Sequence, residues 1–340
     1  MKLLKTTFLF SLFILISGCF PSNQLDKKEV LLQGRTMGTT YNIKVVVPSS
    51  RLAEMDKLQS GIDAALKQLN QEMSTYIDDS ELSLFNQSAS LEPIKVSEGL
   101  NRVVSEAIRL GELSSGSLDV TVGPLVNLWG FGPENRPEQV PSDEVIEQVR
   151  ARVGLDKLVL KEGYLSKSVP ELYVDLSTIA KGYGVDLVAE LLEKNSIVDY
   201  LVEIGGEMRL KGFKHTGELW HVAIEKPVSN ERAVHQVIVP KDNAVATSGD
   251  YRNYYEVDGK RFSHIIDPTS GKPIDNRVVS VTVIHPSSMT ADGLSTAMMV
   301  MGEQRAYQFA EENKLAAYII SKTDNGFVEQ STVKFMQYLK

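Results

Sequence analysis

The chain has 340 residues, 42% of them apolar, with a formal net charge of −8, five histidines and a single cysteine. That length buries the core of one large domain or two modest ones. The acidic balance excludes a nucleic-acid-binding protein, whose affinity rests on basic surface, and the histidines show no metal-ligand spacing, which excludes a zinc site.

Residues 1–18 read as a secretory signal peptide: a basic start with Lys2 and Lys5, an apolar run from Phe8 to Ile16, then the small residues Ser17 and Gly18. The apolar run falls short of the roughly 20 residues that span a membrane as a helix. It ends on Cys19, and the tetrapeptide Ile16-Ser17-Gly18-Cys19 resembles the lipobox of bacterial lipoproteins, whose cysteine carries the lipid. Once lipidated, Cys19 leaves neither a disulfide nor a thiolate to the mature chain. Residues 19–29 are polar and without periodicity, a tether that holds a domain of residues 30–340 off the membrane. Losing Lys2 and Lys5 leaves the chain still more acidic, so attachment rests on acyl chains rather than on charge.

Along the domain, residues 41–47 read as a strand. Leu58, Ile62, Leu66, Leu69 and Met73 recur at helical spacing and predict a helix over 56–73. Ser97 is an N-cap candidate for the next helix, and Pro141-Ser142 introduces a third with Asp143 and Glu144 in its first turn. Strand patterns follow at 172–174, 197–204, 220–225, 234–239, 278–284 and 315–320. Helical patterns occupy 184–192, 290–301 and 303–312. Strands and helices alternate irregularly, the mark of an α+β fold rather than a βαβ series.

Clusters of small residues sit between these segments. They are Thr36-Met37-Gly38-Thr39, the run from Gly116 to Pro124, Ile204-Gly205-Gly206-Glu207 and Ala246-Thr247-Ser248-Gly249-Asp250. Each alone is a turn signal; together they suit a large polar ligand lying across several loops. The stretch from Tyr173 to Gly182 predicts a buried strand ending at Asp175 and a helix starting near Ser177. Free backbone N–H groups at that start, with Lys181 one turn in, would suit a phosphate. The same residues would serve equally as a helix cap, Asp175, and a solvated lysine. Asp292 and Thr296 lie four apart on a predicted helix with Ser295 between them, so oxygens of one face could converge on Mg²⁺; the ordinary reading of such a pair is a solvated surface. His264 sits between a strand and a Pro/Gly turn, where a lone histidine is most often structural.

Taken in order, the motifs Thr-Met-Gly-Thr, Gly-x-x-Asp-x-Thr-x-Gly-Pro-Leu, Val-Asp-Leu-Ser-Thr, Gly-Gly-Glu, Thr-Ser-Gly-x-Tyr-Arg, Ser-His-Ile-Ile-Asp-Pro and Ala-Asp-x-x-x-Thr resemble the ApbE family. The resemblance runs from about Leu31 to the C-terminus. It implies a single α+β flavin transferase unit related to the T-fold, exported as a lipoprotein and facing the periplasm, more naturally on the inner membrane. The implied activity is transfer of FMN from FAD to a threonine of a partner protein, with Mg²⁺ and release of AMP. By the same resemblance, FAD contacts fall on Met37, Tyr76, Ser117, Leu118, Asp119, Asp175, Lys181 and Ile266. Metal ligands fall on Thr178, Asp292 and Thr296, with Ser295 standing where some members carry a second aspartate. His264 is the expected base for the hydroxyl proton. The implied acceptors are subunits of the Na⁺-translocating NADH:quinone reductase and of Rnf-type complexes. An FAD pyrophosphatase and a non-catalytic flavin-binding lipoprotein are the alternatives.

Overall fold

The computed structural model describes residues 26–132, 140–227, 233–251, 253–257 and 260–340. The signal peptide, Cys19 and most of the expected tether therefore lie outside the described residues. An eight-stranded sheet forms the middle layer: β1 Lys27–Thr36, β2 Thr39–Pro48, β3 Tyr200–Ile204, β4 Glu207–Lys211, β5 Ala244–Gly249, β6 Val278–His285, β7 Ala316–Thr323 and β8 Gly326–Ser331. The strands cross the sheet in chain order, each antiparallel to the next. The fold is α+β, as the irregular alternation predicts.

Alternation along the strands explains the layering, since successive side chains point to opposite faces. Tyr41, Ile43, Val45 and Val47 of β2 face a helical layer, while Val46 faces a second core with Leu210, Trp220, Tyr318 and Phe335. The helical layer contains α1 Met55–Met73, α2 Glu81–Gln87, α3 Glu98–Leu113, α6 Ala180–Lys194, α7 Ser288–Met301 and α8 Glu303–Glu312, while α4 Gly123–Leu128 and α5 Asp143–Arg150 pack together in a separate apolar cluster with Trp129, Tyr255 and Phe262. The predicted stripe of α1 is buried throughout, Leu58, Ile62 and Leu66 against the sheet and α6, and Leu69 and Met73 in a core shared with α2, α3 and α7. Each such side chain contributes about 2 kcal/mol by leaving water. Ser97 is the N-cap that its position predicts, accepting from the amide of Leu100, and the helix expected after Pro141-Ser142 begins there, with Ser142 accepting from the amide of Val145.

The structure corrects the sequence reading in five places. The expected tether ends early, because Lys27 already pairs with Pro48 in β1. Residues 172–174 form no strand: the Asn86 side chain takes both backbone groups of Val174, at 2.8 and 2.9 Å, in place of a neighbouring strand. Helix α6 starts at Ala180 rather than near Ser177. The strand expected at 197–204 begins at Tyr200, because the amide of Ile197 still closes the end of α6 onto the Leu192 carbonyl at 3.0 Å. The cluster 246–250, read as a turn, lies mostly in β5, where small side chains leave room for α7 above the sheet.

α6 and α7 cross at very close range. A Cβ on Gly182 would come within 2.4 Å of the Ser288 carbonyl oxygen, so only glycine allows the two backbones to meet. That contact fixes how the two helices present their polar residues.

Candidate active site

α7 is buried along nearly its whole length, with Thr296 and Val300 the partly exposed positions after its first turn. Asp292, Thr296 and Val300 follow one another at i, i+4 and i+8, and all three line one cavity of about 420 Å³. The start of α6 supplies Thr178 and Lys181 to the same cavity, the β3–β4 turn supplies Gly205 and Glu207, and the end of β5 supplies Thr247 and Ser248. Ser117, Leu118 and Asp119 close one side, and His264 and Ile266 another. A second cavity of about 540 Å³ shares Tyr76, Asp175, Ser177 and Lys181 with the first and adds Met37. Tyr76 stands at this shared border with 72% of its surface exposed, free to lie over a bound ring.

Met37 occupies the two-residue β1–β2 turn in a left-handed conformation, φ 49°, which an unbranched side chain tolerates at some cost. The turn aims its thioether at Gly184 of α6 and the second cavity.

The polar centre is compact. Lys181 Nζ donates to Glu207 Oε1 at 2.6 Å, and the amide of Gly182 donates to Asp292 Oδ2 at 3.0 Å. Burial pulls the Lys181 ammonium down, yet the charges of Asp292 and Glu207 outweigh it and hold it above the usual lysine value. Burial drives the carboxyl of Asp292 up to about 8, Lys181 opposing and Glu207 adding to the rise. Burial also raises Glu207, against the pull of Lys181. Asp119 is raised by burial, although it accepts from the Thr121 amide and hydroxyl at 2.7 and 2.6 Å.

Thr178 Oγ1 is buried and has no hydrogen-bond partner. A native fold rarely leaves a hydroxyl in that state, so a ligand at this point is the physical expectation. Among the described residues no three His, Cys, Asp or Glu cluster as a metal cage. The donors present are one carboxylate and two hydroxyls, a hard-oxygen set that suits Mg²⁺ completed by ligand phosphates and water. The residues fit the ion.

Ser295 does not join them. Its hydroxyl donates to the Asp292 carbonyl at 2.9 Å and meets Ser248 Oγ at 2.7 Å, and it does not line the cavity. Ser248 Oγ also reaches Thr296 Oγ1 at 3.0 Å, a contact not foreseen from sequence. Three of the expected free amides at the helix start are likewise occupied. Those of Ile179 and Ala180 donate to Leu176 O, and that of Ser177 donates to Asp175 Oδ1. The Lys181 side chain adds a full positive charge to this wall.

His264 Nδ1 lies 2.9 Å from the carbonyl oxygen of Asn253. A carbonyl can only accept, so Nδ1 carries the proton and Nε2 keeps its lone pair. Burial pushes the His264 imidazolium below the ordinary histidine value, with Lys181 acting in the same direction, so the neutral base persists at neutral pH.

The model of the ApbE family matches residues 37–319. A Vibrio cholerae protein named FAD:protein FMN transferase is 55% identical over 326 residues, 96% of each chain. A Haemophilus influenzae protein of the same name is 49% identical, covering 98% of this chain and 97% of its own. Among solved structures, the flavin transferase ApbE of Vibrio cholerae superposes with a TM-score of 0.86 at 55% identity, over 92% of this chain and all of that one.

Proposed function

The chain belongs to the ApbE family, and we propose that it is an FAD:protein FMN transferase whose Mg²⁺ is held by Thr178, Asp292 and Thr296 and whose target is a threonine hydroxyl. The observation that carries the reading is the convergence of a buried ammonium, a buried carboxyl and an orphaned threonine hydroxyl on one cavity. In phosphoryl-type transfer the protein's work is positioning and charge neutralisation, and Mg²⁺ would supply the larger share of the neutralisation at the phosphates.

This chain's residues divide the rest. Lys181 places a positive charge at the cavity wall for a phosphate oxygen. Met37 and Tyr76 offer an apolar and an aromatic surface to the ring systems of FAD. His264 Nε2 accepts the proton of the attacking threonine hydroxyl, while the Asn253 carbonyl steadies its Nδ1–H. The threonine oxygen then bonds to the FMN-side phosphorus, and the bond from that phosphorus to the bridging oxygen breaks, releasing AMP.

The Ile16-Ser17-Gly18-Cys19 tetrapeptide supports a lipid anchor on Cys19, a periplasmic domain and palmitate among the attached acyl chains. An anchored enzyme gains effective concentration toward membrane-bound acceptors such as the subunits of Na⁺-translocating NADH:quinone reductase and Rnf-type complexes. The test mixes the protein with FAD, Mg²⁺ and an acceptor bearing a Ser-Gly-Ala-Thr segment, followed by acceptor mass. One FMN gained, and lost with EDTA, supports the transferase. An unmodified acceptor with FMN and AMP accumulating would mean a pyrophosphatase instead.

A further inference from the structure

Helix α6 is tied to strand β4 by ion pairs along its length. Residues 207, 209 and 211 share the helix-facing side of the strand, since side chains alternate. Glu207 pairs with Lys181 at 2.6 Å, Arg209 with Asp186 at 3.0 Å, and Lys211 with Glu193 at 3.2 Å. The helix supplies the anion in the last two pairs and the cation in the first. A cation in the first turn of a helix opposes the macrodipole, so Lys181 is not there to stabilise α6. The reversed pair is also the one that lines the cavity.

Glu207 is enclosed, 4% exposed, and its second oxygen, Oε2, is buried without any partner. An ion pair built for stability would have both oxygens satisfied, because removing a carboxylate from water is costly. Lys181 is the less enclosed partner, its side chain 32% exposed toward the cavity against 5% for Glu207. The geometry is that of an ammonium held by a fixed anion on one side and open to a ligand anion on the other.

We infer that Glu207 is a positioning residue that holds Lys181 at the cavity wall and competes with the ligand phosphate for it, so that phosphate-bearing ligands are gripped weakly enough to leave. This rests on the transferase reading, in which AMP must depart at every turnover. Binding energy that holds substrate and product alike lowers KM without raising kcat, so a built-in competitor favours release.

The test is equilibrium binding of AMP and of inorganic pyrophosphate to the full chain in EDTA, by calorimetry, for wild type, three single variants and one double variant. Glu207→Gln keeps the shape and removes the charge; both anions are expected to bind about tenfold more tightly, the scale of a charge-assisted hydrogen bond released. Glu207→Asp keeps the charge and should stay near wild type. Lys181→Met should weaken both anions, and adding Glu207→Gln to it should not restore the gain, since Glu207 acts through Lys181. In turnover with Mg²⁺, Glu207→Gln should lower KM for FAD and kcat together. Damage to the fold does not tighten binding, so the sign separates positioning from mere structure. Equal or weaker anion binding by Glu207→Gln overturns the inference while leaving the transferase reading intact. Should Glu207→Gln fail to fold, an anion affinity in Glu207→Asp far from wild type would overturn it as well. Failure of wild type to bind AMP in EDTA and FAD in Mg²⁺ would bring down both.

Discussion

Asp292→Asn should make the metal-free protein more stable while abolishing its response to Mg²⁺. Asp292 is fully enclosed, and its carboxyl is pushed up to about 8 by burial, the attraction of Lys181 included. A carboxyl whose folded value is raised must take up a proton when the chain folds. Its effect on stability is therefore neutral below the unfolded value near 4 and increasingly unfavourable as pH rises toward the folded value. At about 1.4 kcal/mol per unit, the penalty approaches roughly 2 kcal/mol at pH 5.5 and roughly 5 kcal/mol at pH 8, as upper limits. Asparagine has nearly the same shape, keeps an oxygen for the Gly182 amide and does not titrate. Denaturant unfolding in EDTA at the two pH values should show the variant gaining on wild type, with the gain larger at pH 8. Adding Mg²⁺ at about a hundred times its dissociation constant should then stabilise wild type by about 2.7 kcal/mol and leave the variant unmoved. A variant less stable than wild type at both pH values by the same amount would show that Asp292 is a structural acceptor, and the reasoning would fail.

Three further expectations follow from the same geometry. Thr178→Val removes a buried hydroxyl that has no partner, so metal-free stability should hold or rise slightly while the Mg²⁺-induced shift in melting temperature disappears; a clear loss of metal-free stability would contradict it. His264→Gln should lower transfer at least 100-fold with FAD affinity little changed, and the wild-type rate should rise with pH to a plateau whose midpoint lies below 6.5. A midpoint above the ordinary histidine value, or one that persists in the variant, would remove His264 from the role of base. Gly182→Ala drives a methyl into the Ser288 carbonyl and should cost about 3 kcal/mol of stability, together with a weaker Mg²⁺ response, because α7 must retreat from α6; an unaltered melting curve would refute the close crossing.

What was legible in the sequence follows from how local its causes are. The stripe of α1 and the cap Ser97 are set by residues three or four apart, and the structure places them as the spacing predicts. Residues 172–174 were misread because Asn86, far away in the chain, supplies the hydrogen bonds that a neighbouring strand would. Small residues of 246–250 read as a turn because nothing local announces that α7 will lie across them. The motif series pointed to Lys181, Asp292 and Thr296, yet the charge logic of the site is not local either. It needs Glu207 brought beside Lys181 and the Gly182 amide turned onto Asp292.

Ser295 shows the limit most clearly. Spacing places it one residue from Thr296, and family resemblance marks it as a ligand position. A step of one residue turns a side chain by about 100° around a helix, however, and α7 packs its flank onto β5. There Ser248 meets the Ser295 hydroxyl at 2.7 Å and the Asp292 carbonyl takes its proton, so the oxygen is satisfied inside the fold. An aspartate at 295 would have to bury a charge among those same groups or swing toward the cavity, and either choice would redraw the charge around Lys181. With serine there, Asp292 is the single carboxylate in the proposed ligand set. The second negative group near the ammonium is Glu207, which approaches from β4 rather than from α7. The site thus keeps two buried carboxyl groups around one lysine and offers one of them as a hard oxygen ligand for a cation. That balance suits one Mg²⁺ held mainly through the phosphates of its substrate better than a protein-built pair of metals.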